Sequence, residues 1–385
     1  MADFLNNQDD RKLRELIRIN QPLIGKEEIE AAVAVLKSGT LTNKSGAGPK
    51  VLEFEREFAR FVGVKHAIAV NTGTAALHCA LLAAGVRNSD DVLVPSFTFA
   101  GTGSPILLCG AKPIFADVRS ETYCMSPEDV ENSISRRTKA MIPVHLYGLP
   151  CDMDPIMKIA REKGATVIED AAQAHAAEYR QRKAGALGDI ACFSFYSGNN
   201  MTTGEGGMIT TNDDDLAQAA KMIRTHGEER PYWVSRIGNN YHMTEFAAAI
   251  GIAQLRKLPE FVQKRRENAR ILTEQLRASA KLAIPIEPEG TRHAWCLYTV
   301  RLIGANAGRR NKVVEKIRDK NIEAAIYYET PLHLLPLYKE VSGVRKGSLP
   351  ETERAARQVF SLPIHAGMTS EEVSYVGDTV KRVVG

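Results

Sequence analysis

Between about residues 65 and 215 the chain alternates short apolar runs with helical patterns, and this order leaves few folds open to it. The runs are residues 67–70, 92–95, 113–118, 140–144, 166–168, 190–195 and 208–211. Several are apolar without strict alternation, as strands covered on both faces are. Helical stretches such as 75–84 and 154–163 lie between them. Strand and helix units in this order predict an α/β fold, a mostly parallel sheet flanked by helices. Ahead of it, residues 26–37 carry Ile29, Ala32, Val33 and Leu36 at helical spacing. A loop rich in Gly and Ser follows at 38–49. A long helix is expected over 244–277, with Pro259 as the place for a bend. Beyond it the pattern changes to a strand at 295–302 and helices at 311–320 and 351–359. The expected division is an N-terminal segment with a large α/β domain, 1–265, and a smaller C-terminal α+β domain, 266–385.

At 385 residues, 44% hydrophobic and 25% charged, the chain has the make-up of a globular protein with a large core. The net charge of +4 is small, and Lys and Arg nowhere interleave with aromatics in the way that tracks a nucleic-acid backbone, so no nucleic-acid partner is expected. A mild positive bias suits an anionic small substrate equally well. The first sixteen residues are too polar for a secretory signal, and no apolar stretch reaches the roughly 18 residues of a membrane span. A cytoplasmic protein without a membrane partner is the expectation. The six cysteines are far apart, with no Cys-x-x-Cys pair, and no His stands at zinc-site spacing, so no metal is assigned.

Asn71-Thr-Gly-Thr74 falls between a strand and a helix, where free backbone amides and the helix dipole favour a phosphate; a turn with a capping threonine explains it as well. Asp170 ends a strand in Val-Ile-Glu-Asp-Ala-Ala-Gln, at the sheet edge where ligands bind in α/β folds, or else caps the next helix. Gln173 lies on the same side. Phe99, in Pro-Ser-Phe-Thr-Phe, is either a stacking ring or a core residue. Gly204-Glu-Gly-Gly207 allows close backbone approach, or forms an ordinary turn.

Residues 192–208, Cys-Phe-Ser-Phe-Tyr-Ser-Gly-Asn-Asn-Met-Thr-Thr-Gly-Glu-Gly-Gly-Met, closely resemble the active-site stretch of the DegT/DnrJ/EryC1/StrS family. These are pyridoxal-phosphate (PLP) aminotransferases acting mainly on nucleotide-linked keto sugars. Glu169-Asp-Ala-Ala-Gln173, Gly238-Asn-Asn-Tyr-His-Met-Thr-Glu245, Pro331-Leu-His333 and Leu362-Pro-Ile-His365 extend the resemblance to nearly the whole chain. It implies PLP-transferase fold type I, PLP or its amino form PMP as cofactor, a nucleotide sugar and an amino-acid donor (Glu or Gln) as substrates, and a homodimer with composite sites. It assigns the cofactor phosphate to Gly73, Thr74 and Ser194, the ring nitrogen to Asp170, the phenolic oxygen to Gln173, the ring face to Phe99, and a reach into the neighbouring subunit to Asn240.

Two positions depart from the family. Five residues after Ser194 the family has its Schiff-base lysine, and here Asn199 stands there, an amide that can neither bond to the cofactor nor act as a base. His242 replaces an arginine. The resemblance therefore implies an aminotransferase crippled or altered at Asn199. The alternatives are a PMP-dependent keto-sugar dehydratase, with His145, His175 or His242 as substitute base, and a non-catalytic binding or regulatory protein.

Overall fold

The computed structural model describes residues 15–42 and 48–385. The polar opening stretch through residue 14 and the centre of the Gly/Ser-rich loop, 43–47, lie outside the described residues. Seven strands form the main sheet: β1 His66–Val70, β2 Asp91–Pro95, β3 Lys112–Ala116, β4 Thr138–Met141, β5 Thr166–Asp170, β6 Ile190–Ser194 and β7 Gly207–Thr211. Their spatial order is β1-β7-β6-β5-β4-β2-β3. All pairings from β6 to β3 are parallel, whereas β7 runs antiparallel to both β1 and β6. Each apolar run expected as a strand overlaps one of the seven. The run at 140–144 ends sooner than expected, and Val144 makes only an isolated bridge to Asp170.

Helices cover both faces. Early in the chain stand α1 Lys26–Ser38, α2 Pro49–Val62, α3 Gly73–Ala83 and α4 Ala100–Leu108, and the long helix α5 spans Glu245–Leu276. Helix α2 was not singled out in the sequence. Pro49 at its first turn and Gly63 in the left-handed region just past its end bound it. Its Phe54 and Phe58 pack on Phe195 and Phe193 with ring centroids 5.0–5.6 Å apart, within the reach of edge and tilted ring contacts. The carboxylate of Glu55, also on α2, accepts the Ala69 N–H at 2.9 Å and pairs with buried Arg224 at 2.5 Å. Arg224 in turn donates to the Ala69 carbonyl, so α2 and the helix Asp214–Arg224 are both tied to β1. Removing one partner of such a buried pair costs about 3–5 kcal/mol, because the other charge is left uncompensated.

The apolar stripe of α1 faces outward: Ile29, Val33 and Leu36 are exposed, and Glu28 and Val35 are buried. Glu28 turns inward because its carboxylate accepts from Gly25 N–H, the Gln254 amide and Lys257, which fixes α1 on α5. Helix α5 runs through Pro259 as one element, and the 265/266 boundary drawn from the sequence falls inside it. Its last turns join a second core with strands Leu282–Ala283, Tyr298–Leu302 and Val359–Leu362 and helices Ala307–Arg318 and Ser370–Val384. The strand expected from residue 295 begins only at Tyr298, since Trp295 has a positive φ of 49° and stacks on His293 at 4.0 Å. Leu332, Tyr338 and Leu349 return to pack against the main sheet. Among the described residues no helix is long and apolar enough to cross a membrane.

Candidate active site

The cleft opens at the carboxyl ends of the parallel strands, and strand alternation decides what faces it. In β6 and just past it, Phe193 and Phe195 point down into the aromatic core, so Ser194 between them points up. The turn after β1 meets it. Thr72 caps α3 by accepting the Ala75 N–H at 3.0 Å, and the amides of Gly73 and Thr74, first in the helix, have no acceptor within it. Gly73 is required here because a Cβ would stand 2.7 Å from the Ser194 Cβ. Gly207 is required for a related reason, as a Cβ there would overlap the Thr72 carbonyl.

Asp170 closes β5 and is buried. Its carboxylate accepts from the Thr102 hydroxyl at 2.8 Å and from the Ala172 N–H at 3.1 Å, and no Lys or Arg pairs with it among the described residues. Burial therefore outweighs these two donors and holds its pKa above the usual aspartate value. Thr102 lies in the first turn of α4, and Phe99 stands just ahead of that helix with 64% of its surface exposed. Gly101 leaves the space between the Phe99 ring and the Thr74 hydroxyl, where a Cβ would be 2.9 and 3.0 Å from them. Gln173 lies one turn beyond Asp170. Its Oε1 accepts the Tyr147 N–H at 2.7 Å and its Nε2 donates to the Tyr328 hydroxyl at 3.3 Å.

Asn199 is fastened at both ends. Its Nδ2 donates to the Ser194 carbonyl at 2.8 Å, and its Oδ1 accepts from the Cys296 thiol at 3.9 Å. Burial pushes that thiol up to about 11, so it keeps its proton at neutral pH.

The sequence matches the DegT/DnrJ/EryC1/StrS aminotransferase family over residues 22–381. The chain belongs to that family. A relative named GDP-perosamine synthase, from Caulobacter vibrioides, is 41% identical, covering 89% of this chain and 92% of its own. The crystal structure of S. venezuelae DesV in complex with a ketimine intermediate is similar at 34% identity with a TM-score of 0.88, covering 93% of this chain and 94% of that one. The structure of Spr1654 from Streptococcus pneumoniae, solved in PMP and PLP forms, has 27% identity and a TM-score of 0.89, covering 96% of this chain and 98% of its own. Membership makes this chain a relative of PLP-dependent sugar aminotransferases and points to PLP or PMP as its cofactor.

Of the positions that the family pattern singles out, Gly73, Thr74, Phe99, Asp170, Ser194 and Asn199 are linked through the contacts above around one cleft, with Gln173 beside Asp170. Asn240 is not among them. It is exposed and lines a separate open groove of about 720 Å³ with Thr225, His226 and His242, where His242 Nε2 lies 3.2 Å from the Thr225 hydroxyl. The neighbouring Tyr241 carbonyl accepts the Asn71 N–H at 2.9 Å, so this segment flanks the β1 turn from outside.

None of the three histidines weighed as substitute bases stands free in the cleft. His145 is fully buried, with Nε2 2.9 Å from Glu169 and Nδ1 accepting the Cys151 N–H. His175 lies under β6 against Phe193 and Phe195, and burial pushes its pKa down to about 3. His242 belongs to the groove. Thr102, Tyr147 and Tyr328 were missed in the sequence. Only weak signals pointed at them: a Tyr-Gly turn after β4 and an aromatic pair ahead of Pro331-Leu-His333.

Proposed function

We propose that this chain binds PLP or PMP without a covalent bond and receives a nucleotide-linked keto sugar and an amino-acid donor, Glu or Gln, as a cytoplasmic homodimer whose transamination is crippled at Asn199. The observation that carries the cofactor reading is Asp170, a buried carboxylate with no Lys or Arg partner among the described residues, whose proton affinity is raised. A ring N–H is the partner such a group lacks. The rest of the cleft fits the same molecule: an exposed aromatic face at Phe99, free amides at Gly73 and Thr74, and the Ser194 hydroxyl. Bound there, the cofactor supplies a carrier for the amino group and an electron sink.

The chain's own residues then divide the work. Gly73, Thr74 and Ser194 hold the phosphate, and the α3 dipole favours its charge. Asp170 holds the proton of the ring nitrogen, with Thr102 fixing the carboxylate. Phe99 covers one ring face and keeps water from it. Residue 199 supplies neither an anchor nor a proton carrier, and positioned acid–base catalysis is worth about 10² to 10⁴ in rate. The non-catalytic alternative has one observation in its favour, the two-ended fastening of Asn199, which makes that amide part of the fold. Asn240, exposed on its own groove, is suited to complete the site of a second copy.

Absorbance after dialysis against PLP or PMP, then borohydride and intact mass, tests the reading. Retained cofactor that borohydride does not fix to the protein is expected. A borohydride-stable adduct on any lysine would overturn the noncovalent binding. Sedimentation showing only monomer with cofactor still bound would sink the shared site.

A further inference from the structure

The pair Gln173–Tyr328 is held in an arrangement that no local preference explains. Tyr147 and Tyr328 both adopt left-handed backbone, with φ of 60° and 59°. Bulky side chains rarely occupy this region, and such strain persists where the surroundings over-determine it, often at ligand sites. The two rings lie nearly parallel, 15° apart in plane with centroids 6.3 Å apart, and Phe97 meets the Tyr328 ring edge-on at 5.6 Å. The Tyr147 turn is fixed from the other side too. Leu297 N–H donates to the Tyr147 carbonyl and Ala294 N–H to the Gly148 carbonyl. A Cβ at Gly148, where φ is 97°, would come within 2.9 Å of the Gln173 carbonyl.

This arrangement fixes what Gln173 presents. A backbone N–H can only donate, so the atom 2.7 Å from Tyr147 N is the amide oxygen, and the NH2 group must face Tyr328. The Tyr328 oxygen accepts from that NH2, which leaves its own proton for another acceptor. Among the described residues no acceptor for it is found, and the residue is mostly but not fully buried. Burial and the nearby Asp170 carboxylate push the Tyr328 pKa up, so the hydroxyl stays protonated.

We infer that Gln173 and Tyr328 act as one unit, in which Gln173 orients the Tyr328 hydroxyl to donate its proton in a hydrogen bond to the phenolic oxygen of the ligand held at Asp170. This rests on the cofactor reading above. It adds a donor, Tyr328, that the sequence reading did not single out, and gives the strained Tyr147 turn a positioning role.

The test is a spectrophotometric titration with PMP and with PLP of the unaltered chain, Tyr328→Phe, Gln173→Leu and the double variant. Tyr328→Phe keeps the ring packing and removes only the hydroxyl. Loss of one hydrogen bond predicts a Kd about fivefold weaker. The band that reports ionisation of the cofactor's phenolic oxygen should also move to higher pH, since a donor to the ionised form is lost. The double variant should bind no more weakly than Gln173→Leu alone, because the two residues act together. Unchanged affinity and band position in Tyr328→Phe, or additive losses in the double variant, would overturn the inference. If the unaltered chain binds neither cofactor, the proposed function fails by itself. The pairing is then read in the cofactor-free protein from the Gln173 side-chain NH2 resonances, which must move in Tyr328→Phe; unmoved resonances refute it.

Discussion

Asn199→Lys should restore a covalent anchor at a stability cost that the structure allows to be worked out. The substitution removes the 2.8 Å bond to the Ser194 carbonyl, worth about 1 kcal/mol net. The new ammonium enters a half-buried position on a small cavity whose lining includes Arg265 and no carboxylate. Arg265 is itself buried, with its pKa lowered by desolvation. Burial and a like charge both disfavour the ammonium, so its pKa should fall by about 2 units from the ordinary value near 10.4. At 1.36 kcal/mol per unit this is about 2.7 kcal/mol, and with the lost hydrogen bond the cofactor-free variant should be less stable by roughly 4 kcal/mol. The same shift makes a usable fraction of free amine at neutral pH. Thermal melts with and without PLP should show a deficit that the cofactor largely removes, and borohydride with mass measurement should place the adduct on residue 199. Given L-glutamate and a panel of nucleotide keto sugars, the variant should turn over at least ~10²-fold faster than the unaltered chain. Equal turnover by both would refute the argument by showing that another residue moves the proton. So would a variant of undiminished stability that forms no adduct.

Gly73→Ala should weaken PLP and PMP binding and lower the melting temperature, because a Cβ 2.7 Å from the Ser194 Cβ forces the turn and β6 apart, an overpacking that costs about 1–3 kcal/mol; isothermal titration and melting curves that match the unaltered protein would contradict it. Stability should also fall steeply in acid. His175 and His293 are pushed down to about 3 and His365 to about 4 by burial, so the folded state keeps them neutral while the unfolded chain takes up protons near pH 6.5. Their contribution is complete above that pH and is lost as pH falls from there toward 4 and 3, with a combined slope of up to about 4 kcal/mol per pH unit. A urea midpoint that does not change between pH 7.5 and 5 would exclude this.

The strands were legible because burial on both faces writes an apolar run into each of them, and helices such as α1, α3 and α5 because their period is local, whereas α2 and α4 were not read from it. Direction was not legible. β7 reads like its parallel neighbours, since an apolar run carries no sign of which way the chain travels. The period of α1 marked a helix but not its inner face, where Glu28 is held by Gln254 and Lys257, residues far along the chain. Motif-bearing residues such as Asp170 and Ser194 could be singled out as candidates because the pattern surrounds each of them in sequence. Tyr328 was not, because its meaning lies in a hydrogen bond to a residue 155 positions away.

The place of β7 also orders the assembly of the cleft. Among the described residues β1 pairs in the main sheet with β7 alone, apart from the isolated bridge of Val70 to His242, and residues 207–211 are made long after 66–70. Until then the turn at Asn71–Thr74 hangs from a strand that is tied to α2 through Glu55 but is unpaired in the sheet, and Gly207 is not there to pack against it. That turn is thus among the first parts of the main sheet to be synthesised and among the last to be set in place. A nascent chain that stops short of β7 carries an unpaired apolar edge, the surface on which strands from other chains add themselves, so the segment that completes the site also shields the growing protein from aggregation.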